Sequence, residues 1–336
     1  MSASDRPRTP SASRSRVVWR GMEDESTPGH LSGLNSQTVV GSLTYPRALD
    51  ARASFERHHA LIQERLHRYD QPGLLALVLG RREIAGQWLR AKPNQTTTAI
   101  VGRHERCDLV TPASGADVSL RHVAILASDL DQTFSFRVID LASGTGFIDE
   151  DQRPQLSIQS SGPTFLGIGA SVLFLSPTPY TLDGDSSRSF INLPKRVVVP
   201  DDRSKPRSSG SDAITYVHTS PGPLPLGDRV DDGFQPAGFL SLESDGRIEL
   251  KPVSERMLER GVLVGRYDRC RIRAPVASLS RVHLLLIRDG RKLLAVDAAS
   301  TNGTYFQGEE KRTTTLEFGD CLSLGQDVKV TWSRPD

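Results

Sequence analysis

The chain has 336 residues, 37% of them hydrophobic, and a formal net charge of +2. That length suggests about two domains, and the small charge argues against both a dedicated nucleic-acid coat and an acidic solvating protein. Three cysteines cannot close a disulfide framework, no Cys-x-x-Cys or Cys/His cluster offers a metal site, and no apolar run approaches the ~18–20 residues that span a bilayer.

Residues 1–49 are rich in Ser, Thr, Arg, Gly and Pro without a sustained apolar period, so a disordered tail is expected. Its arginines (Arg6, Arg8, Arg14, Arg16, Arg20) are followed by Glu23, Asp24 and Glu25. A solvated tail is preferred over a nucleic-acid arm, and no nucleic-acid or membrane partner is expected. With no hydrophobic stretch behind the charges, the N-terminus does not read as a secretory signal, and the expected location is cytoplasmic. Over residues 50–72, Phe55, His59, Ile62, Leu66 and Tyr69 fall on one helical face, and "QPG" at 71–73 ends the pattern. This helix is expected to dock on the domain that follows, with a partner-binding helix as the alternative.

Residues 73–176 change to β-type punctuation: "LLALVLG", "REIAGQWLRA" and "TTTAIVG" read as strands, and turn signals recur between short apolar runs. Residues 177–236 hold nine of the 21 prolines and read as an extended Pro/Ser-rich linker interrupted by "RVVVP". Strand-like runs resume over 237–336, from "GFLSLESDGRIELKP" with its Asp-Gly turn to "VKVTW". The expected fold is all-β: two β-sandwich domains joined by a linker, with a disordered tail and one short helix.

The two β regions repeat one another. "GRHERC" at 102–107 matches "GRYDRC" at 265–270; Ser119 and His122 match Ser280 and His283; Asp140 and Gly146 match Asp297 and Gly303. Cys107 and Cys270 fall at equivalent places and read as small buried residues, reduced and without a redox or metal role.

This ordered set resembles the forkhead-associated (FHA) domain, a β-sandwich family that binds phosphothreonine peptides. The C-terminal copy carries "GR" at 265–266, "SRVH" at 280–283, "STNGT" at 300–304 and "FGDCLSLG" at 318–325. The N-terminal copy keeps "GR" at 102–103 and "SLRH" at 119–122. Its third loop departs, with Gly144-Thr145-Gly146-Phe147 where the other copy has Thr301-Asn302-Gly303-Thr304. The resemblance implies that Arg266 pairs with a phosphate, Ser280 donates its hydroxyl to it, Arg281 adds positive charge, Thr301 lines the pocket and Asn302 holds the peptide backbone. Gly265, His283 and Gly303 would support these loops, and Arg103 with Ser119 would form a weaker second site. The chemistry fits: phosphothreonine carries about −1.5 to −2 charges, and sandwich loops cluster at one end.

Ser280 and His283 lack a nucleophile elbow or an assignable third triad member. "LGIGASV" at 166–172 has Val172 where a dinucleotide loop needs glycine, and no P-loop, zinc-protease or kinase signature occurs. No enzyme, cofactor or metal is therefore expected. The expected function is a phosphothreonine-peptide-binding adaptor in Ser/Thr-kinase signalling, acting mainly through the C-terminal domain on phosphoproteins such as a kinase or its substrates. The alternative is a structural scaffold with phosphate-independent partners. "RTP" at 8–10 and "STP" at 26–28 add a route to self-association, through phosphorylation of Thr9 or Thr27.

Overall fold

Asp50 opens helix α1 (Ala51–Arg68), its carboxylate accepting the Ala53 N–H at 2.8 Å and so satisfying one of the orphan donors of the first turn. In a computed structural model the chain is described over residues 17–20, 50–111, 117–130, 132–200, 214–224 and 235–335. Phe55, Ile62 and Leu66 are buried under the helix, and Tyr69 stacks on Trp88 with ring centroids 4.7 Å apart. The apolar face thus docks on the first β domain.

That domain is two antiparallel-based sheets. One runs in the order β1 (Val17–Arg20), β3 (Glu83–Arg90), β2 (Gly73–Leu79), β12 (Ser171–Thr178), β11 (Thr164–Ile168), β8 (Phe147–Ile148) and β9 (Pro154–Gln155). The other runs β13 (Lys195–Pro200), β14 (Ile214–Ser220), β10 (Ser157–Ser160), β7 (Thr133–Asp140), β6 (Val123–Leu130), β4 (Gln95–Gly102) and β5 (Leu109–Val110). The C-terminal half repeats this order. Its first sheet is β16 (Arg247–Ser254), β15 (Pro236–Ser244), β25 (Val328–Ser333), β24 (Cys321–Leu324), β21 (Thr304–Phe306) and β22 (Glu309–Glu310). Its second is β18 (Ile272–Arg273), β17 (Val262–Gly265), β19 (Leu284–Asp289), β20 (Lys292–Asp297) and β23 (Thr313–Leu316).

Side chains alternate across a strand, so a continuous apolar run has to be covered on both faces. In β2, Leu74, Ala76 and Val78 enter the core between the two N-terminal sheets, while Leu75, Leu77 and Leu79 pack in the cluster that includes the apolar face of α1. In β15, Leu240 and Leu242 enter the C-terminal core. The run in β19 is different again. Leu284 and Leu286 face their own core, but Leu285 and Ile287 join a third cluster that spans both halves.

Each half offers the equivalent face to that shared cluster. Ile100, Ala124, Leu126, Ile139 and Leu141 lie in it with their repeat counterparts Leu263, Leu285, Ile287, Val296 and Ala298. The self-matching patch resembles a two-fold oligomer interface built within one chain. Polar ties surround it: Ser128 Oγ donates to Asp289 Oδ2 at 2.6 Å, and Lys292 Nζ donates to Asn94 O at 2.5 Å.

Cys107 and Cys270 sit in the shared cluster, each donating its S–H to a carbonyl at 3.2 Å, of Leu120 and Arg281 respectively. Burial pushes their thiols up to about 11 and about 12, far from the thiolate that reacts. Cys321 is exposed. A thiol reagent at about pH 8 is therefore expected to modify Cys321 and to spare the other two until the protein unfolds, as peptide mass mapping would show. Labelling of Cys107 or Cys270 in the folded chain would contradict this packing.

Two expectations are corrected. Val17–Arg20, inside the stretch expected to be disordered, pairs antiparallel with β3; the rest of residues 1–49, with Thr9 and Thr27, lies outside the described residues. The stretch read as an extended linker contributes helix α2 (Ser186–Asn192) and strands β13 and β14 to the N-terminal half. There Val217 is buried in the first core and Val198 packs against it. Apolar and β-branched residues in "RVVVP" and "ITYVHTS" outweighed the surrounding prolines. A third helix, α3 (Glu255–Arg260), is capped by Ser254 Oγ, which accepts the Met257 N–H at 3.2 Å. No helix among the described residues is long and apolar enough to cross a membrane, and no group of three or more His, Cys, Asp or Glu side chains there is placed to hold a metal.

Candidate functional site

Strand β17 ends at Gly265, where the 280–281 backbone passes so close that a Cβ would lie 2.3 Å from the Arg281 carbonyl oxygen. Gly102 meets Leu120 O in the same way, at 2.4 Å. The glycine of each Gly-Arg pair is therefore a steric requirement. It lets the next residues bond across: Arg266 N–H donates to Ser280 O at 3.1 Å and Tyr267 N–H to Arg281 O at 3.0 Å. The Arg266 side chain is left exposed.

His283 is fully buried behind this loop. Its Nδ1 accepts the Ser280 N–H at 3.3 Å, and its Nε2–H donates to Gly303 O at 3.0 Å, which ties together two loops far apart in sequence. Ser280 Oγ accepts the Thr301 N–H at 2.9 Å and lies 3.4 Å from Thr301 Oγ1. Its hydroxyl proton is thus held only weakly within the protein.

Asp297 fixes the third loop from below. It accepts the Ser300 N–H at 2.8 Å, the Ser300 hydroxyl at 2.5 Å and the Thr304 hydroxyl at 2.7 Å. Thr301 and Asn302 project from that loop and are exposed, with Asn302 Nδ2 donating to Ser278 O at 2.7 Å. Gly303 turns the chain at φ 76°, a region costly for any Cβ. The loop opens on a groove of about 720 Å³ lined by Ser278, Thr301, Asn302, Tyr305, Glu310 and Asp327, among others. Of the predicted residues, Ser280, Thr301 and Asn302 lie on the two loops that His283 ties together, and Arg266 lies on a third loop, bonded to the first of these through Ser280 O. The Arg281 side chain is exposed and its carbonyl is engaged internally.

The N-terminal half has the same bracing with different occupants. His122 Nδ1 accepts the Ser119 N–H at 3.1 Å and its Nε2–H donates to Gly146 O at 2.7 Å. Asp140 accepts the Ser143 N–H at 3.0 Å and also binds the Ser143 hydroxyl. Arg103 is exposed, but Ser119 Oγ is turned to Ser143 O at 3.3 Å. Gly144 and Thr145 stand where the other half has Thr301 and Asn302. Arg269 packs so close that its Nη1 is 2.1 Å from the place of a Cβ on Gly144.

Two arginines that the sequence reading did not single out cross between the halves. Arg121 is buried, and its Nε and Nη2 donate to Ala299 O at 2.9 and 2.6 Å. Arg106 Nη1 donates to Ser300 O at 3.0 Å. In return, Arg312 bonds Asp297 at 3.2 Å, Asp108 at 3.3 Å and Arg106 O at 2.9 Å. The N-terminal half therefore grips the two carbonyls just before Thr301. In both copies of the hexapeptide the first arginine is exposed and the second reaches the loop of the other half.

Burial holds the His283 imidazole below its ordinary 6.5. Protonation would also cost its acceptor at Nδ1. An unfolded histidine takes up its proton near 6.5, so the unfolded chain binds more protons and stability is lost as pH falls below that value. The His283 ring is expected to stay neutral by NMR in the folded protein at about pH 6, with the denaturant midpoint lower at about pH 5.5 than at about 7.5. A folded-state titration of His283 above 6.5 would contradict the bracing role.

Residues 262–325 match the family model of the FHA domain, and the C-terminal half contains one such domain. Solved structures similar to part of the chain include the FHA domain of FhaA in complex with the intracellular domain of Rv3910 (28% identity, 28% of this chain and 98% of that one, TM-score 0.25). Another comes from a study of phosphothreonine-dependent FHA domain interactions (27% identity, 29% and 98%, TM-score 0.24). A third is the first FHA domain of Rv1747 from Mycobacterium tuberculosis (23% identity, 30% and 100%, TM-score 0.24). No curated protein matches the chain.

Proposed function

We propose that the chain is a phosphothreonine-reading adaptor in Ser/Thr-kinase signalling, with its ligand site in the C-terminal FHA domain. The observation that carries this reading is the loop cluster in that domain. A Ser280 hydroxyl with its proton largely uncommitted and exposed Thr301 and Asn302 stand on loops braced by His283 and Asp297, and an exposed Arg266 stands on the neighbouring loop, bonded to Ser280 O. Arg266 would form a charge-assisted pair with the phosphate, Ser280 would donate to it, and Arg281 would add positive potential. Asn302 would exchange its bond to Ser278 O for the peptide backbone.

The N-terminal half is proposed to be a diverged copy that serves mainly as a structural partner. Its matching strand order and His122/Asp140 bracing favour common origin. Its Gly144–Thr145 loop, packed against Arg269, favours the loss of a ligand role. The test is retention of a degenerate phosphothreonine peptide library on the full chain against the same library unphosphorylated. Selective retention of the phosphorylated library is expected. Equal retention, or none, would overturn the reading and favour a scaffold with phosphate-independent partners.

A further inference from the structure

We propose that Arg106, supplied by the N-terminal half, belongs to the ligand groove of the C-terminal half and selects peptides with an acidic side chain close to the phosphothreonine. The inference rests on the phosphothreonine reading above and adds a specificity that the C-terminal domain could not supply alone.

Among the described residues, Arg106 is the one from the N-terminal half that lines the groove beside Thr301 and Asn302. It is exposed, yet held at two points: Nη1 donates to Ser300 O at 3.0 Å, and its own carbonyl accepts from Arg312 Nη2 at 2.9 Å. A guanidinium has five N–H donors in a planar fork. With one bond to Ser300, most of that fork remains for a ligand, and Arg106 pairs with no carboxylate among the described residues.

The other charged lining residues, Glu310 and Asp327, are carboxylates. Among the described residues Arg106 is therefore the groove's single positive charge, and a ligand side chain beside it gains by being acidic. Arg266 and Ser280 do not line this groove, which places Arg106 with the flanking residues of the peptide and not with the phosphate. The counterpart Arg269 also reaches the loop of the other half, against Gly144, and lies over the Tyr267 ring at 5.6 Å.

The experiment uses the full chain as wild type, Arg106→Ala, Arg106→Glu and Arg266→Ala, screened against an oriented phosphothreonine peptide library. The best peptide is then compared with its copy in which the acidic residue is alanine. The wild type is expected to select an acidic residue at one flanking position. Arg106→Ala should keep phosphate dependence but lose about fivefold to tenfold in affinity for the acidic peptide, the range of one exposed to half-buried charge pair. Arg106→Glu should turn the preference towards basic residues, which a merely structural role would not do.

An acidic preference that survives in both Arg106 variants, or is absent from the wild type, overturns this proposal while leaving phosphothreonine reading intact. Loss of all phosphate-dependent binding in both folded variants also overturns it, because Arg106 would then serve the phosphate or the loop. A wild type that binds no phosphothreonine peptide removes the underlying reading and this one with it. The Arg266→Ala control shows that any binding seen runs through the proposed site.

Discussion

Arg266→Ala is expected to weaken binding of a phosphothreonine peptide by about ten- to a hundredfold and to leave the unfolding transition where it is. A charge-assisted hydrogen bond contributes about 1.5–3 kcal/mol, and each ~1.4 kcal/mol is a factor of ten in affinity. The stability half follows from the position of the residue. The Arg266 side chain is exposed, and the bonds that fix its loop run through backbone, from Arg266 N to Ser280 O and from Ala274 N to Gly265 O. Fluorescence polarisation with a phosphopeptide and a thermal melt of the same sample would check both halves. Unchanged affinity would remove Arg266 from the site, and a large drop in melting temperature would make its effect on binding indirect.

Leu285→Ala is expected to destabilise the whole chain by about 2–5 kcal/mol, the range for emptying a packed leucine site. Leu285 belongs to a C-terminal strand, but its fully buried side chain lies in the cluster shared with Ile100, Ala124 and Leu126. The same argument bears on residues 235–335 expressed alone. They would expose Leu263, Leu285, Ile287, Leu294 and Val296 on one sheet face, a patch of the kind that drives association. Self-association of that fragment, seen by size exclusion with light scattering, is expected. A monomeric fragment together with an unperturbed Leu285→Ala variant would show that the halves do not depend on one another.

Much of this was legible in the residues, and what was not has identifiable causes. "LLALVLG" reads as a strand, and its lack of alternation already signals cover on both faces. In β2 the second face meets α1, whose periodic apolar face was also readable. The matching run in "VHLLLI" meets the other half of the protein, and a repeat in sequence carries no information on how its copies sit in space. Cys107 and Cys270 could be recognised as buried equivalents, but not as members of one core. Proline density hid β13 and β14, because three or four β-branched residues in a Pro-rich stretch give a weak signal until a sheet edge pairs with them. The placement of His283 between the Ser280 and Gly303 loops could be anticipated from the ordered motif. That of Arg106 and Arg121 could not, since the carbonyls they grip lie more than 170 residues away in the sequence.

The central claim is that phosphothreonine is read at one site, in the C-terminal half. Calorimetric titration of the full chain with a phosphothreonine peptide tests it most directly, with Arg266→Ala and Arg103→Ala alongside. The prediction is one peptide bound per chain, lost in Arg266→Ala and retained in Arg103→Ala. Two peptides per chain, binding lost with Arg103 but not Arg266, or equal binding of the unphosphorylated peptide would contradict it.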